Sequence, residues 1–278
     1  MTQRRFVQCD VFSSVATKGN GLAVVVDGAG LADDQMQSFA LWTNLAETTF
    51  LLPPSNNDAD YRVRIFTPKK EMQFAGHPTL GSCAAWLHCG GRPATRGVVR
   101  QECDIGIVKI DARTRPLAFA APPTAVAPLQ QTERERILTA LDIPPDLVID
   151  SAQLSNGSDW HVLELANAAD VLRIDASRTP FPAFKGVGLI GAHPPGSPCA
   201  YEVRNVSPSS GMEEDPITGS LNAAIAQWKC GAGRWAKEVV IAQGTQIGRK
   251  GRVFVRPEKD AIWIGGDVQI LIDGTLEL

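Results

Sequence analysis

Three residues of this 278-residue chain have side chains and surroundings suited to proton transfer. Glu47 lies between the end of an apolar helical pattern and the apolar strand pattern Thr-Thr-Phe-Leu-Leu, so its carboxylate should be partly desolvated. Desolvation moves the pKa of a carboxyl group from about 4 toward neutrality, which suits a general base. His77 could donate to a substrate oxygen or relay a proton. Asp215 would add a second carboxylate.

Each of these residues also has a purely structural interpretation. Glu47 could be a strand-end carboxylate in a salt bridge, His77 a structural turn residue, and Asp215 a helix N-cap. Symmetry favours a catalytic role over these structural ones, because His77 and Asp215 occupy comparable places in two similar stretches of the chain.

The two similar stretches run over residues 74–86 and 212–228. Each passes from a polar turn through a proline and a Gly-Ser pair into a small apolar helical segment that closes near a tryptophan. Aligning Gly81-Ser82 with Gly219-Ser220 gives an offset of 138 residues (219 − 81), about half the chain. We interpret this match as an internal duplication.

The helix of the second stretch should begin with Asp215 as N-cap and Pro216 as first helical residue. It has few charges, so it should be buried. A helix N-terminus presents backbone N–H groups and a positive dipole end, which suit an anion such as a substrate carboxylate. Two such turns facing each other across a cleft, with an acid and an imidazole, would form a site for proton transfer on a small anion.

The remaining pattern consists of many short strands with two buried helices, which indicates an α+β fold. We expect two similar halves, each a mixed curled sheet wrapped around a central helix. The N-terminal half should cover residues 1–122, with Glu47 and the Gly76-His77 turn. The C-terminal half should cover 123–278, with the Asp215–Ser220 turn, and its last strand could pair back to the first half. Residues 122–128, rich in Pro and Ala, resemble a linker.

Composition and motifs argue against several classes of function. The net charge is −3 without a basic run, so nucleic acid and anionic membranes are not expected partners. No apolar run could span a bilayer, and residues 1–8 enter a strand pattern without a signal-peptide core, so a cytoplasmic location is expected. The sequence has no P-loop, dinucleotide fingerprint, His-Glu-x-x-His or Gly-x-Ser-x-Gly motif. The six cysteines form no Cys-x-x-Cys, and no metal site is expected at Cys83, His88 and Cys89.

Seven short pieces, in order along most of the chain, resemble the PhzF-like phenazine-biosynthesis isomerase family. They are Asp10-Val-Phe12, Gly19-Asn20, Glu47-Thr-Thr-Phe50, Arg64-Ile-Phe-Thr-Pro68, Phe74-Ala-Gly-His-Pro-Thr79, Glu214-Asp-Pro-Ile-Thr-Gly-Ser220, and Gln243-Gly244 with Gly248-Arg249. The usual Gly-Asn-Pro of the family reads Gly19-Asn20-Gly21 here, which predicts a looser turn.

The resemblance implies a diaminopimelate epimerase-like fold with a site between two similar domains. It also implies a homodimer, and a mechanism that needs neither metal nor organic cofactor. In this family the glutamate of the Glu-Thr-Thr-Phe stretch moves a proton, which assigns that role to Glu47. His77, Asp215 and Ser220 would assist. Related epimerases and racemases use a pair of cysteines at the two turns; here Ala75 and Asp215 appear in those places, which favours carboxylate chemistry.

The sequence therefore predicts a cofactor-independent isomerase that moves a proton on a small carboxylate-bearing substrate. Glu47, His77, Asp215 and Ser220 are the expected catalytic residues, and the expected substrate contacts are Asn20, Gly76, Thr218 and Gly219. Two alternatives stay open: a non-catalytic binder of small anions on the same scaffold, and an epimerase or racemase that uses Glu47 and Asp215.

Overall fold

The computed structural model describes residues 2–113, 115–180, 182–208 and 212–278. The chain divides into two compact units. Unit 1 consists of Met1–Ala120 and Gly265–Leu278, and unit 2 of Ala121–Ile264. The chain thus leaves unit 1 after Ala120 and returns to it at Gly265.

The first part of unit 1 contains eight strands and two helices within the described residues. In chain order they are β1 (Gln3–Val11), β2 (Asn20–Val25), α1 (Asp33–Thr43), β3 (Glu47–Leu52), β4 (Tyr61–Phe66), β5 (Glu71–Met72), α2 (Gly76–His88), β6 (Val98–Cys103), β7 (Gly106–Asp111) and β8 (Leu117–Ala120).

Unit 2 follows with β9 (Ala125–Ala127), α3 (Gln131–Leu141), β10 (Val148–Ser155), β11 (Asp159–Leu165), α4 (Ala168–Leu172), β12 (Val187–Ala192), β13 (Tyr201–Asn205), α5 (Gly219–Gly231), β14 (Val239–Gln243) and β15 (Gly251–Pro257). Strand β16 (Ile262–Gly266) spans the return to unit 1, and β17 (Val268–Glu277) completes that unit. Residues 122–128, expected to be a linker, contain β9, which pairs with β10.

The two units repeat one pattern of strand pairing. In unit 1 the order β1-β2-β3-β4-β6-β7 alternates antiparallel and parallel pairs, beginning and ending with an antiparallel pair. In unit 2 the order β10-β11-β12-β13-β14-β15 alternates in the same way. Helices α2 and α5 occupy equivalent places. Each immediately precedes the strand that completes the second parallel pair of its unit, which is β6 in unit 1 and β14 in unit 2. The predicted α+β fold of two similar halves is confirmed.

The core of unit 1 is built around α2, which packs against β1, β2, β3, β6, β8 and β17. Its first ten residues, Gly76 to Ala85, are all buried. A β-carbon at Gly81 would lie 2.5 Å from Leu22 Cδ2 and 3.0 Å from Val11 Cγ2. Glycine at this position therefore lets the helix approach the sheet closely.

Unit 1 is closed by β17, which runs antiparallel to β1 from Gln3 opposite Glu277 to Val11 opposite Val268. The backbone N–H of Thr2 donates to the carbonyl of Leu278 at 2.9 Å, which continues this pairing to the ends of the chain. None of the helices in the described ranges combines the length and the apolar character needed to cross a bilayer.

The start of α5 corrects one expectation. The helix begins at Gly219 with Thr218 as N-cap, not at Pro216 with Asp215 as N-cap. The N–H of Asp215 instead donates to the carbonyl of Asn205 at 3.0 Å, forming an isolated bridge to the end of β13. This bridge keeps the backbone extended at Asp215, so the helix starts later.

The alignment of the two Gly-Ser pairs is also wrong in register. Gly219 and Ser220 open α5, whereas Gly81 and Ser82 are the sixth and seventh residues of α2. The two helices begin 143 residues apart (219 − 76), not 138. The duplication is visible in the topology, but the Gly-Ser pairs are not equivalent positions.

Candidate active site

In unit 1 the structure brings Glu47 and His77 together. Glu47 is the first residue of β3, and His77 is the second residue of α2. The carboxylate Oε2 of Glu47 lies 3.4 Å from Nε2 of His77, and their side chains are 15% and 3% exposed, respectively. The glutamate is thus partly desolvated, as its position in the sequence predicts.

Burial determines the charge of His77. It lowers the pKa of the imidazole to about 3, so the ring is neutral at physiological pH. Within the described part of the chain, Nε2 of His77 makes no hydrogen bond. At 3.4 Å the Glu47 carboxylate is close to Nε2 without forming one.

The other ring nitrogen of His77 has a partner in Asn20, the first residue of β2. Nδ2 of Asn20 lies 3.2 Å from Nδ1 of His77, and both side chains are buried. The turn before Asn20 is specified locally, because the carboxylate of Asp10 accepts from the backbone N–H groups of Lys18 and Gly19, each at 3.0 Å. A β-carbon at Gly19 would lie 2.3 Å from the carbonyl oxygen of Val11.

Gly21 does not belong to that turn. It is the second residue of β2 and lies opposite Asp10 of β1. The departure from the family's Gly-Asn-Pro therefore falls within a paired strand, and the turn itself is fixed by Asp10 and Gly19.

In unit 2, Asp215 is bound to the N-cap of α5. The hydroxyl of Thr218 donates to Oδ2 of Asp215. The same hydroxyl accepts from Nδ2 of Asn205 at 3.2 Å and from Nε2 of Gln243 at 3.0 Å. One donated and two accepted bonds use the full capacity of a hydroxyl group. Thr218, predicted to contact substrate, thus directs its hydroxyl to protein groups.

Gln243, at the end of β14, is the centre of this arrangement. It is fully buried, and its Oε1 accepts from the N–H of Thr218 at 3.0 Å and from Nδ2 of Asn222 at 2.7 Å. Its Nε2 also donates to the carbonyl of Asp215 at 3.3 Å. In the sequence, the only signal for Gln243 is the Gln243-Gly244 match to the family.

Two further contacts fix the turn before α5. The guanidinium of Arg204 donates to Oε2 of Glu214 at 2.6 Å and to the carbonyl of Ile174 at 2.6 Å, and both charged side chains are buried. A β-carbon at Gly244 would lie 2.5 Å from the carbonyl oxygen of Pro216. The turn that carries Asp215 is therefore held by contacts on both sides of that residue, at Glu214 and at Pro216.

The first residues of α5 are Gly219 and Ser220, both buried. The carbonyl of Ser220 accepts from Nδ2 of Asn156 at 2.8 Å. The residues immediately before the two helices are Ala75 and Thr218, so no thiol stands at either N-cap.

Within unit 1, then, the structure assembles Asn20, Glu47, Gly76 and His77. Within unit 2 it assembles Asp215, Thr218, Gly219 and Ser220. Among the residues described, no group of three or more His, Cys, Asp or Glu side chains is arranged to hold a metal ion.

Comparison with known proteins identifies the family. The model of the family described as phenazine biosynthesis-like protein matches residues 9–274. This chain belongs to that family. It is 34% identical to a protein of Schizosaccharomyces pombe named antisense-enhancing sequence 1, over 99% of both chains. It is 29% identical to a trans-2,3-dihydro-3-hydroxyanthranilate isomerase of Pseudomonas chlororaphis, over 91% of this chain and 90% of that one.

Solved structures agree on the fold. A PhzF-family protein of Bacillus anthracis superposes with a TM-score of 0.82 at 21% identity, covering both chains completely. A hydroxyproline epimerase of Agrobacterium vitis superposes with a TM-score of 0.69 at 14% identity, covering 99% of this chain and 92% of that one. The chain has the diaminopimelate epimerase-like fold. It is an enzyme of the isomerase class, in line with its relatives that are named trans-2,3-dihydro-3-hydroxyanthranilate isomerase.

Proposed function

We propose that this PhzF-like isomerase moves a proton on a small carboxylate-bearing substrate, with Glu47 as the acid/base group and without a metal or organic cofactor. The observation that supports it is the placement of the partly desolvated Glu47 carboxylate 3.4 Å from the buried ring of His77. A general base must be basic enough to remove a carbon-bound proton and must keep that proton for return.

The neutral state of His77 suits this role. An imidazolium beside Glu47 would favour the carboxylate by charge and weaken it as a base. Because burial lowers the pKa of His77 to about 3, the ring is a polar neighbour without charge. Glu47 can then cycle between carboxylate and carboxylic acid without a fixed positive charge beside it.

The two helix N-termini are the proposed anion sites. The first turn of α2, with Gly76 and His77, and the first turn of α5, with Gly219 and Ser220, each begin without a side-chain N-cap hydrogen bond among the described residues. Unused first-turn N–H groups and the helix dipole stabilise negative charge. We assign them to the substrate carboxylate and to charge that develops during proton removal.

Asp215 is the proposed second acid/base group. Thr218 and Gln243 support it, since the Thr218 hydroxyl donates to Oδ2 and the Gln243 amide donates to the backbone carbonyl of Asp215. Thr218 would thus act by positioning Asp215, and Gly219 and Ser220 would provide the contacts to substrate.

Solvent deuterium uptake tests the proposal. The protein is incubated in D₂O with small amino, hydroxy and cyclohexadiene carboxylates, with trans-2,3-dihydro-3-hydroxyanthranilate first because three relatives are named for it. Mass shifts report proton exchange. We expect uptake by the wild type, a loss of about 10³-fold in Glu47→Gln, and about 10²-fold in Asp215→Asn. Glu213→Gln, which removes an exposed carboxylate, is the matched control.

Full exchange by Glu47→Gln would contradict the assigned base. Binding of a compound with no exchange by the wild type would favour the anion-binder alternative. Inversion of a chiral panel member would identify an epimerase that uses Glu47 and Asp215. We also propose a homodimer, as the family resemblance implies; a monomer in light scattering would contradict it.

A further inference from the structure

Asn20 has a contact that substrate binding alone does not explain. Its side-chain nitrogen lies 3.2 Å from Nδ1 of His77. An amide nitrogen only donates hydrogen bonds, so Nδ1 of His77 must accept. A neutral imidazole carries one proton, and if Nδ1 accepts, that proton is on Nε2.

The proton on Nε2 would then be directed toward Glu47. Nε2 is the ring nitrogen 3.4 Å from the Glu47 carboxylate, and it is buried without a hydrogen bond to any described residue. In this tautomer the ring presents a donor to Glu47. In the other tautomer it would present a lone pair, which repels a carboxylate and favours the protonated acid.

We propose that Asn20 is a positioning residue: its amide N–H holds His77 in the Nε2–H tautomer, so that the neutral ring offers a donor to the Glu47 carboxylate. The local structure is suited to this purpose. Asp10 anchors the preceding turn through two backbone N–H groups, and Asn20 begins β2 opposite Val11. The amide is therefore placed by a fixed backbone rather than by a mobile loop.

The consequence for the reaction rests on the proposed role of Glu47. With the Nε2–H donor in place, the ring would hold the Glu47 carboxylate in position by a hydrogen bond when substrate binds. In the wrong tautomer that donor is lost, and proton removal would slow. Asn20 would influence catalysis without touching the reacting carbon.

The tautomer can be read directly by long-range ¹H–¹⁵N correlation spectra of ¹⁵N-histidine-labelled protein. The chain has four histidines, and the His77 signals are those lost in His77→Gln. In the wild type at pH 7 we expect an unprotonated Nδ1 and a protonated Nε2. A protonated Nδ1 in the wild type would overturn the inference, whatever the variants show.

Asn20→Asp is the decisive variant, because it keeps the shape and replaces the donor by an acceptor. We expect Nδ1 of His77 to become protonated, either as the other tautomer or as the imidazolium. Asn57→Asp makes the same charge change in an exposed loop and should leave the His77 signals unchanged. An unchanged Nδ1 in folded Asn20→Asp would also overturn the inference. If Asn20→Asp does not fold, Asn20→Ala is the alternative variant. It should show a mixture of His77 tautomers, and retention of the pure Nε2–H form would contradict the proposal.

Turnover gives a second, separate readout. With the panel compound that exchanges, Asn20→Asp should lower kcat by about 10²-fold while KM changes little, since a wrong tautomer impairs the proton-transfer step. Loss of binding with unchanged kcat would instead indicate a substrate contact. The spectra need no substrate. If Glu47→Gln exchanged fully, the proposed function would fail while the tautomer assignment could still hold.

Discussion

The two central helices begin with opposite arrangements of polar groups. At the start of α2, His77 uses one ring nitrogen on Asn20 and leaves the other without a hydrogen bond to the described residues, close to Glu47. At the start of α5, the hydroxyl and N–H of Thr218 are engaged with protein groups. A common topology thus carries a histidine with a ring nitrogen not hydrogen-bonded to any described residue in unit 1 and a threonine whose hydroxyl and N–H are both hydrogen-bonded in unit 2.

The two units thus share a fold but differ in the polar side chains at the starts of their central helices. The strand pairing of the two units is the same, so it does not determine the chemistry. What differs between the units is a few side chains at the helix starts. Each of these side chains can be altered separately.

The buried glutamines of the two units should differ in their effect on stability. Gln243 of unit 2 makes four hydrogen bonds, to Thr218, Asn222 and Asp215. Gln101 of unit 1 makes two, accepting from Tyr61 and donating to Thr79. Because stranded buried groups cost about 1–3 kcal/mol each, Gln243→Leu should lower the free energy of unfolding by about 3 kcal/mol and Gln101→Leu by about half of that. Urea denaturation measures both, and equal losses would contradict the idea of a special network in unit 2.

The buried imidazole of unit 1 should make stability depend on pH. The pKa of His77 is lowered to about 3 in the folded protein and is about 6.5 in an unfolded chain. As pH falls below 6.5, the unfolded state binds a proton that the folded state does not, so stability is lost toward pH 3. Between pH 6.5 and 4.5 the wild type should lose about 2 kcal/mol more than His77→Gln.

Unfolding free energies measured at several pH values would test this expectation. Asn57→Gln, which changes an exposed side chain that does not titrate, is the control and should keep the wild-type slope. Parallel curves for the wild type and His77→Gln would show that the ring is not buried in its neutral form.

The sixth residue of each helix provides the smallest contrast. It is Gly81 in α2 and the buried Ala224 in α5. Gly81→Ala would push a methyl group against Leu22 and Val11, and the gain in helix propensity offsets only part of that overlap. We expect a net loss of about 1 kcal/mol. Ala224→Gly should cost a similar amount through helix propensity. A higher melting temperature of Gly81→Ala in thermal unfolding would show instead that the sheet can shift to accommodate the methyl group.

Much of the fold could be predicted from local pattern. Short strands, two small-residue helices and a repeated turn were enough for the α+β class with two similar halves, and the position of Glu47 before an apolar strand indicated its partial burial. These features depend on residues that are neighbours in the sequence. The hydrophobic periodicity of a segment and the residue types at its turns indicate such features directly.

The missed features depend on partners far away in the sequence. Asp215 has the sequence pattern of an N-cap, but its bridge to Asn205 delays the helix to Gly219. Gln243 lies 25 residues after Thr218, and only the folded sheet brings the two together. Likewise, nothing near Asn20 in the sequence shows that its amide meets a ring 57 residues later.

The return of the chain to unit 1 has a consequence for biosynthesis. Strand β17 pairs with β1 along its length, yet the ribosome makes it about 250 residues later, after all of unit 2. Unit 2 is continuous in sequence, so all of its residues are available for folding once Ile264 has left the exit tunnel. The unit translated first is therefore completed last, and until then β1 presents an open edge to whatever binds nascent chains.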